Sequence, residues 1–218
     1  MAGRNIVHKL TSWAARAIHR KGFGVQSPWA YELVRDVFFE QLPYYAFEEL
    51  KEQARSMKTK DKKRYHHEQL FRIAHYLHPS SIVEINDGCP TSVLYLAAPH
   101  SDMPCTLITR SELPTLFTTA FRGKVITGNH LTTLQSLFSQ DKPVGILHIC
   151  DTNEAESIYD WAVKNTDNNS VIILENLASN ATLWEKIVSD ERAIITFDFS
   201  KWGMIVFDKK RVKQNYLL

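Results

Sequence analysis

The sequence predicts an α/β protein: a mostly parallel, seven-stranded sheet with an antiparallel last strand, behind a helical N-terminal extension over residues 1–78. Three observations predict it. From Ser80 onward, short β-branched runs alternate with helical stretches, the pattern of repeated βα units. The runs are almost continuously apolar, as strands buried on both faces must be. The final two runs are separated by only a few residues, too few for a parallel crossover, so the last strand has to turn back on its neighbour.

In order, apolar residues Ile6, Leu10, Trp13, Ala14 and Ala17 fall at helical spacing until Lys21–Gly22. Ser27 can cap a second helix with Pro28 in its first turn, running through Leu33, Val34, Val37 and Phe38 to Pro43. A third spans Tyr44 to about Met57, the charged run Lys58 to Arg64 reads as a solvated junction, and Leu70, Ile73, Ala74 and Leu77 mark a fourth. From residue 79 to 218 the expected strands are Ile82–Ile85, Thr106–Thr109, Lys124–Thr127, Val144–Cys150, Ser170–Leu174, Ala193–Phe199 and Met204–Phe207. Helices are expected between them at Thr91–Ala98, Pro114–Phe121, Leu131–Phe138, Glu154–Lys164 and Ala181–Val188.

A chain of 218 residues buries one sizeable core and an appendage. Its 44% hydrophobic and 23% charged residues are those of a globular protein, and a net charge of +2 gives no argument for a nucleic-acid partner. The basic clusters Lys58 to Arg64 and Lys209, Lys210, Arg211, Lys213 come with no RNA-binding module. Cys89, Cys105 and Cys150 form no CxxC pair, so they read as small buried thiols of a reducing compartment. No run approaches the ~20 apolar residues that span a bilayer, and the basic N-terminus lacks a signal peptide's apolar region; a cytoplasmic protein is expected.

Ligands of open α/β sheets bind at the carboxyl ends of the strands, near the switch in strand order. Glu84, Asn86, Asp87 and Gly88 end the first strand, Arg110 and Glu112 follow the second, Gly128, Asn129 and His130 the third, Asp151 the fourth, and Glu175 and Asn176 the fifth.

These positions carry a resemblance. Glu84-Ile85-Asn86-Asp87-Gly88-Cys89-Pro90 stands where class I methyltransferases have E-x-G-x-G-x-G, and Gly128-Asn129 resembles their turn against the cofactor's adenine. The strand Leu147 to Asp151 resembles the one facing the reacting methyl, and Val171 to Asn176 the D-[ND] strand of the catechol O-methyltransferase branch. Gly22-Phe23-Gly24-Val25-Gln26-Ser27-Pro28 resembles the H-G-x-H-S-P opening of a bacterial class I methyltransferase-like family, with Phe23 and Gln26 in place of both histidines. The likeness runs from about Lys21 to Tyr216. It implies a Rossmann-like fold, S-adenosylmethionine held by Glu84, Asn86, Asp87, Gly88, Glu112, Gly128 and Asn129, and catalysis by Asp151 and His130. In the catechol branch a trio such as Asp151, Glu175 and Asn176 holds Mg²⁺.

The departures cluster in the cofactor loop. Asn86 and Pro90 replace two glycines whose lack of a Cβ lets backbone N–H groups approach a ligand. The acid expected to hold the ribose hydroxyls should fall near Thr109 or Arg110, and a guanidinium accepts no hydrogen bond. Glu154 stands where the catechol branch has a lysine base. His130 is placed as a general base at the mouth of the site, His148 as a packed core histidine, and Tyr65-His66-His67 as surface residues. Aromatics such as Trp29, Tyr44 and Tyr45 are expected to pack the helices onto the sheet or line a lid. Two functions follow: methyl transfer to an oxygen or nitrogen of a small molecule, or a catalytically silent scaffold for binding or assembly, with the N-terminal helices as a homo-oligomer surface.

Overall fold

The computed structural model describes residues 24–57, 64–139, 141–150 and 152–218. The helix expected over Ile6 to Ala17, most of the charged run and Asp151 lie outside the described residues.

Ser27 caps the first described helix, α1 (Pro28–Glu32): its Oγ accepts from the backbone N–H of Ala30 at 3.4 Å. The helix then widens into a π-turn over Leu33–Phe38, closed by Phe39 N–H donating to the Val34 carbonyl at 3.3 Å. Leu33, Val34, Val37 and Phe38 on this turn are all buried in the core. Helices α2 (Ala46–Ser56) and α3 (Arg64–Leu77) follow, with Phe47, Leu50 and Ala54 forming the buried stripe of α2.

The sheet comprises β1 (Ile82–Ile85), β2 (Cys105–Thr109), β3 (Lys124–Thr127), β4 (Ile146–Ile149), β5 (Val171–Glu175), β6 (Ile195–Asp198), β7 (Trp202–Val206) and β8 (Gln214–Leu217). Helices α4 (Thr91–Ala97), α5 (Thr115–Ala120), α6 (His130–Leu137), α7 (Ala155–Ala162) and α8 (Ala181–Ser189) connect the strands from β1 to β6. The expected parallel sheet with a reversed hairpin strand is present: β7 runs antiparallel to both β5 and β6.

The strand count differs from the expected seven. Among the described residues eight strands pair in the order β3-β2-β1-β4-β5-β7-β6-β8. The reversed strand is therefore interior, and β8 returns parallel to β6 at the edge. Gln214-Asn215-Tyr216-Leu217 offers two apolar residues in four, too short a pattern to register as a strand; pairing with β6 makes it one.

Two apolar layers cover the sheet. Alternation along the strands sends Ile82, Leu107, Ile146 and Ile173 toward the layer that includes α1, α3 and α4, and Val83, Ile108, Leu147 and Ile172 toward α6, α7 and α8. Strand order switches between β1 and β4, which places a crevice at their carboxyl ends.

Candidate functional site

Two polar clusters meet at that crevice. The outer one lies on the loops. Asp87, after β1, accepts from Arg110 Nη2 at 2.6 Å, Arg110 Nε at 2.9 Å and the Arg110 backbone N–H at 2.8 Å. His130, the first residue of α6, is fully buried, with Nε2 2.9 Å from Asp87 Oδ1 and Nδ1 3.0 Å from Glu154 Oε2. Arg110 also reaches Asn153 Oδ1 at 3.1 Å and lies 3.7 Å from Glu154. Burial pushes the Asp87 carboxyl up, but Arg110 and His130 together hold it below its ordinary value.

The loop after β1 satisfies itself. Asn86 Oδ1 accepts from the Gly88 N–H at 2.9 Å, while Asn86 Nδ2 donates to Glu84 Oε1 at 2.8 Å and to the Cys89 carbonyl at 3.3 Å. Thr109 is buried, with its Oγ1 accepting from Ser111 N–H at 3.0 Å. Asn129 caps α6 by accepting from Thr132 N–H, Gly128 continues the ladder by donating to the Thr109 carbonyl, and Glu112 is exposed.

The inner cluster sits within the sheet. Parallel register sets Glu84 of β1 beside His148 of β4, and both are fully buried. Glu84 Oε1 accepts from Asn86 Nδ2 and from Ser92 Oγ, each at 2.8 Å, and Glu84 Oε2 lies 2.9 Å from His148 Nδ1. His148 Nε2 lies 3.3 Å from Glu175 Oε1, and that same oxygen contacts His66 Nε2 of α3. Cys150 Sγ is 3.3 Å from His148 Nε2.

Burial opposes the charged form of His148, while Cys150, Glu175 and Glu84 favour it; the net effect raises the imidazole well above its ordinary value. Because burial pushes the Cys150 thiol up to about 12, the thiol is neutral near pH 7 and the carboxylates carry the effect. Burial likewise pushes Glu175 up, and the two histidines outweigh it, holding that carboxyl well below the usual range.

The inner cluster opens on a cleft of about 880 Å³ lined by Phe39, Tyr65, His66, Glu175, Phe199 and Trp202. Phe199 and Trp202 stack at 3.9 Å, and the His66 ring lies 4.6 Å from Trp202. Asn176, with φ +55°, stands at its rim. A second cleft of about 440 Å³ lies between the ends of β4 and β5, lined by Cys150, Thr152, Asn153 and Asn180.

The sequence-predicted residues are thus divided. Asp87, His130 and the Arg110 loop are joined in the outer cluster, and Glu84 turns inward to His148. Glu175 likewise points at imidazoles. His148 is the packed, hydrogen-bonded histidine expected of it. His66 and His67 correct an expectation: the His66 side chain is only 13% exposed and His67 is buried, whereas neighbouring Tyr65 is a surface residue. His66 precedes Gln69, Leu70 and Ile73 by three, four and seven residues, a spacing that already places it on the inward face of α3.

No protein-family model and no curated protein sequence matches this chain. Among solved structures it is similar to a methyltransferase from Geobacter sulfurreducens (TM-score 0.59, 13% identity, 78% of this chain and 93% of that one). An O-methyltransferase from Bacillus cereus in complex with SAH matches with a TM-score of 0.57 at 19% identity, over 80% of this chain and 96% of the other. The O-methyltransferase TomG from Streptomyces achromogenes, in complex with SAM, gives 0.58 at 12% identity, over 80% and 94%. The shared property is the Rossmann-like methyltransferase fold. Fold alone assigns no chemistry. No described helix is long and apolar enough to cross a membrane.

Proposed function

We propose that this chain is a methyltransferase-fold protein that binds a small molecule in the α3–β5–β7 cleft and no longer uses S-adenosylmethionine. The outer cluster carries the reading. A nucleoside cofactor at the ends of β1 and β2 needs an acceptor for its ribose hydroxyls and free backbone donors in the first loop. Here the strand β2 ends in buried Thr109, and Arg110, a donor only, is already paired to Asp87. The Gly88 N–H is taken by Asn86 Oδ1. To open this arrangement a ligand would have to break a multidentate ion pair with His130 buried behind it. The residues present therefore do not fit the cofactor.

Of the trio expected to hold Mg²⁺, Asp151 lies outside the described residues, Glu175 is turned to two imidazoles and Asn176 stands at the rim of the cleft, so the two described members do not converge on one hard-cation position. The cleft suits a small molecule with an aromatic or apolar body, stacked against Phe199 and Trp202, and a polar end facing Glu175 and His66.

A second reading keeps methyl transfer from S-adenosylmethionine to an oxygen or nitrogen of that small molecule. What favours it is the switch between β1 and β4 beside the cleft, and the open space at Gly128, where an added Cβ would meet nothing nearer than 3.6 Å. Thermal denaturation with millimolar S-adenosylmethionine or S-adenosylhomocysteine separates the two. An unchanged melting temperature is expected. A ligand at 100-fold over its Kd would add about 2.7 kcal/mol, and such a rise would establish the second reading instead.

A further inference from the structure

The inner cluster has the composition of a metal centre. We propose that His66 Nε2, His148 Nε2 and a Glu175 carboxylate oxygen form a three-ligand site for a zinc-class divalent cation, with its fourth position open to the 880 Å³ cleft.

Geometry comes first. The three donor atoms lie within 4.8 Å of one another, and His148 Nε2 stands 3.3 Å from Glu175 Oε1. Two donors on a tetrahedral zinc with bonds near 2.0–2.1 Å are about 3.3 Å apart, so the pair is already at ligand spacing. Only His66 must settle around the ion, and it comes from a helix side chain at the cleft wall.

The surroundings add a second, independent argument. A ligating histidine normally gives its other ring N–H to a carboxylate, which fixes the tautomer and leaves the ligating nitrogen's lone pair available. His148 has that carboxylate partner: Nδ1 faces Glu84 Oε2 at 2.9 Å, Glu84 is itself held by Asn86 and Ser92, and a cation at Nε2 would take the place of the proton between that nitrogen and Glu175. In this account the buried Glu84, steadied by Asn86 and Ser92, orients His148. Glu84 and Asn86 are two of the positions where methyltransferases would place cofactor contacts.

Donor chemistry selects the ion. Two imidazoles and one carboxylate suit zinc and its neighbours, whereas Mg²⁺ requires oxygen ligands. Three protein ligands with a vacant position lined by a cleft is the arrangement of a reactive rather than a purely structural zinc. His66 and Glu175 line that cleft, so a water or a small molecule's oxygen can complete the coordination.

The inference stands apart from the proposed loss of S-adenosylmethionine: metal binding and nucleoside binding are measured separately, and either can fail alone. Full-length protein is stripped with a chelator and titrated with Zn²⁺ by calorimetry and with Co²⁺ by visible absorption. One equivalent of Zn²⁺ per chain, undisplaced by millimolar Mg²⁺, and a tetrahedral Co²⁺ band are expected. His66→Ala should weaken Zn²⁺ at least ~100-fold and remove the band while remaining folded, and Asn176→Gly should leave both intact. X-ray absorption of zinc-loaded wild-type protein provides a readout independent of any variant and should show two imidazole neighbours. The proposal is overturned by no binding at excess Zn²⁺, by binding indifferent to His66→Ala, by loss in Asn176→Gly alone, or by a first shell of oxygens only.

Discussion

Glu84 shows how far one buried carboxylate can govern its surroundings. Three groups face it: the Asn86 amide, the Ser92 hydroxyl and the His148 ring. Removing it takes the partner from the Ser92 hydroxyl and from His148 Nδ1, while the Asn86 amide keeps the Cys89 carbonyl, and breaking a buried charged pair by deleting one partner costs about 3–5 kcal/mol. Glu84→Ala is therefore expected to lose most of that amount in urea denaturation at pH 7, and Glu84→Gln, which keeps an acceptor, clearly less. Asp190 gives a milder case at the surface. Arg192 holds its carboxyl at about 2, below the ordinary 3.8, against a smaller opposing effect of burial and with help from the Arg192 backbone and Tyr159. A depressed acid stabilises the fold above its unfolded pKa and loses that contribution as pH falls through the folded value. The window is pH 4 down to 2, and at ~1.4 kcal/mol per pKa unit, discounted for the half-exposed Arg192, the effect is about 1–2 kcal/mol. Asp190→Asn should abolish that portion of acid sensitivity in a series of melting curves.

At the scale of elements, β7 is set by one close approach. Gly203 lies under the Trp184 ring of α8, where an added Cβ would stand 2.3 Å from the ring carbon Cη2. Trp184 has little freedom to move, because its Nε1 donates to Asp198 Oδ2 at 3.0 Å and its ring is packed into the core on that face. Gly203→Ala should therefore destabilise by about 1–3 kcal/mol, the usual cost of overpacking, with the loss visible in the denaturation midpoint. The π-turn acts at the opposite side of the cleft. It brings the Phe38 carbonyl to Gln69 Nε2 at 2.9 Å, which ties α3, and with it His66, to the π-turn that follows α1.

At the scale of the whole molecule, the sheet's far edge depends on its last few residues. Tyr216 and Leu218 are buried at 4% and 0% exposure, Tyr216 stacks on Phe197 at 5.3 Å, and β8 covers the backbone edge of β6. Truncation after Val212 removes two buried side chains, each contributing about 1.5–3 kcal/mol, and bares an edge strand. The truncated chain is expected to melt cooperatively at a lower temperature by differential scanning calorimetry and to self-associate in size-exclusion chromatography. How much of this was legible in advance varies with range. Apolar runs such as Val171 to Leu174 and helical spacing in Leu70 to Leu77 are local properties, so the parallel sheet and the reversed strand followed from sequence. The departures at Asn86, Pro90 and Thr109 were equally plain as letters. Their consequence was not: that Asn86 satisfies Gly88, and that Asp87 seals Arg110, required the loops of β1 and β2 to be placed side by side. His66, His148 and Glu175 come from positions up to 109 residues apart, and no local spacing joins a helix's first turn to the interior of one strand and the end of another. Sequence by itself determined the layers, because hydrophobic period depends on neighbours along the chain. Tertiary structure alone decided the site, because parallel register and helix docking set which buried polar groups must find one another.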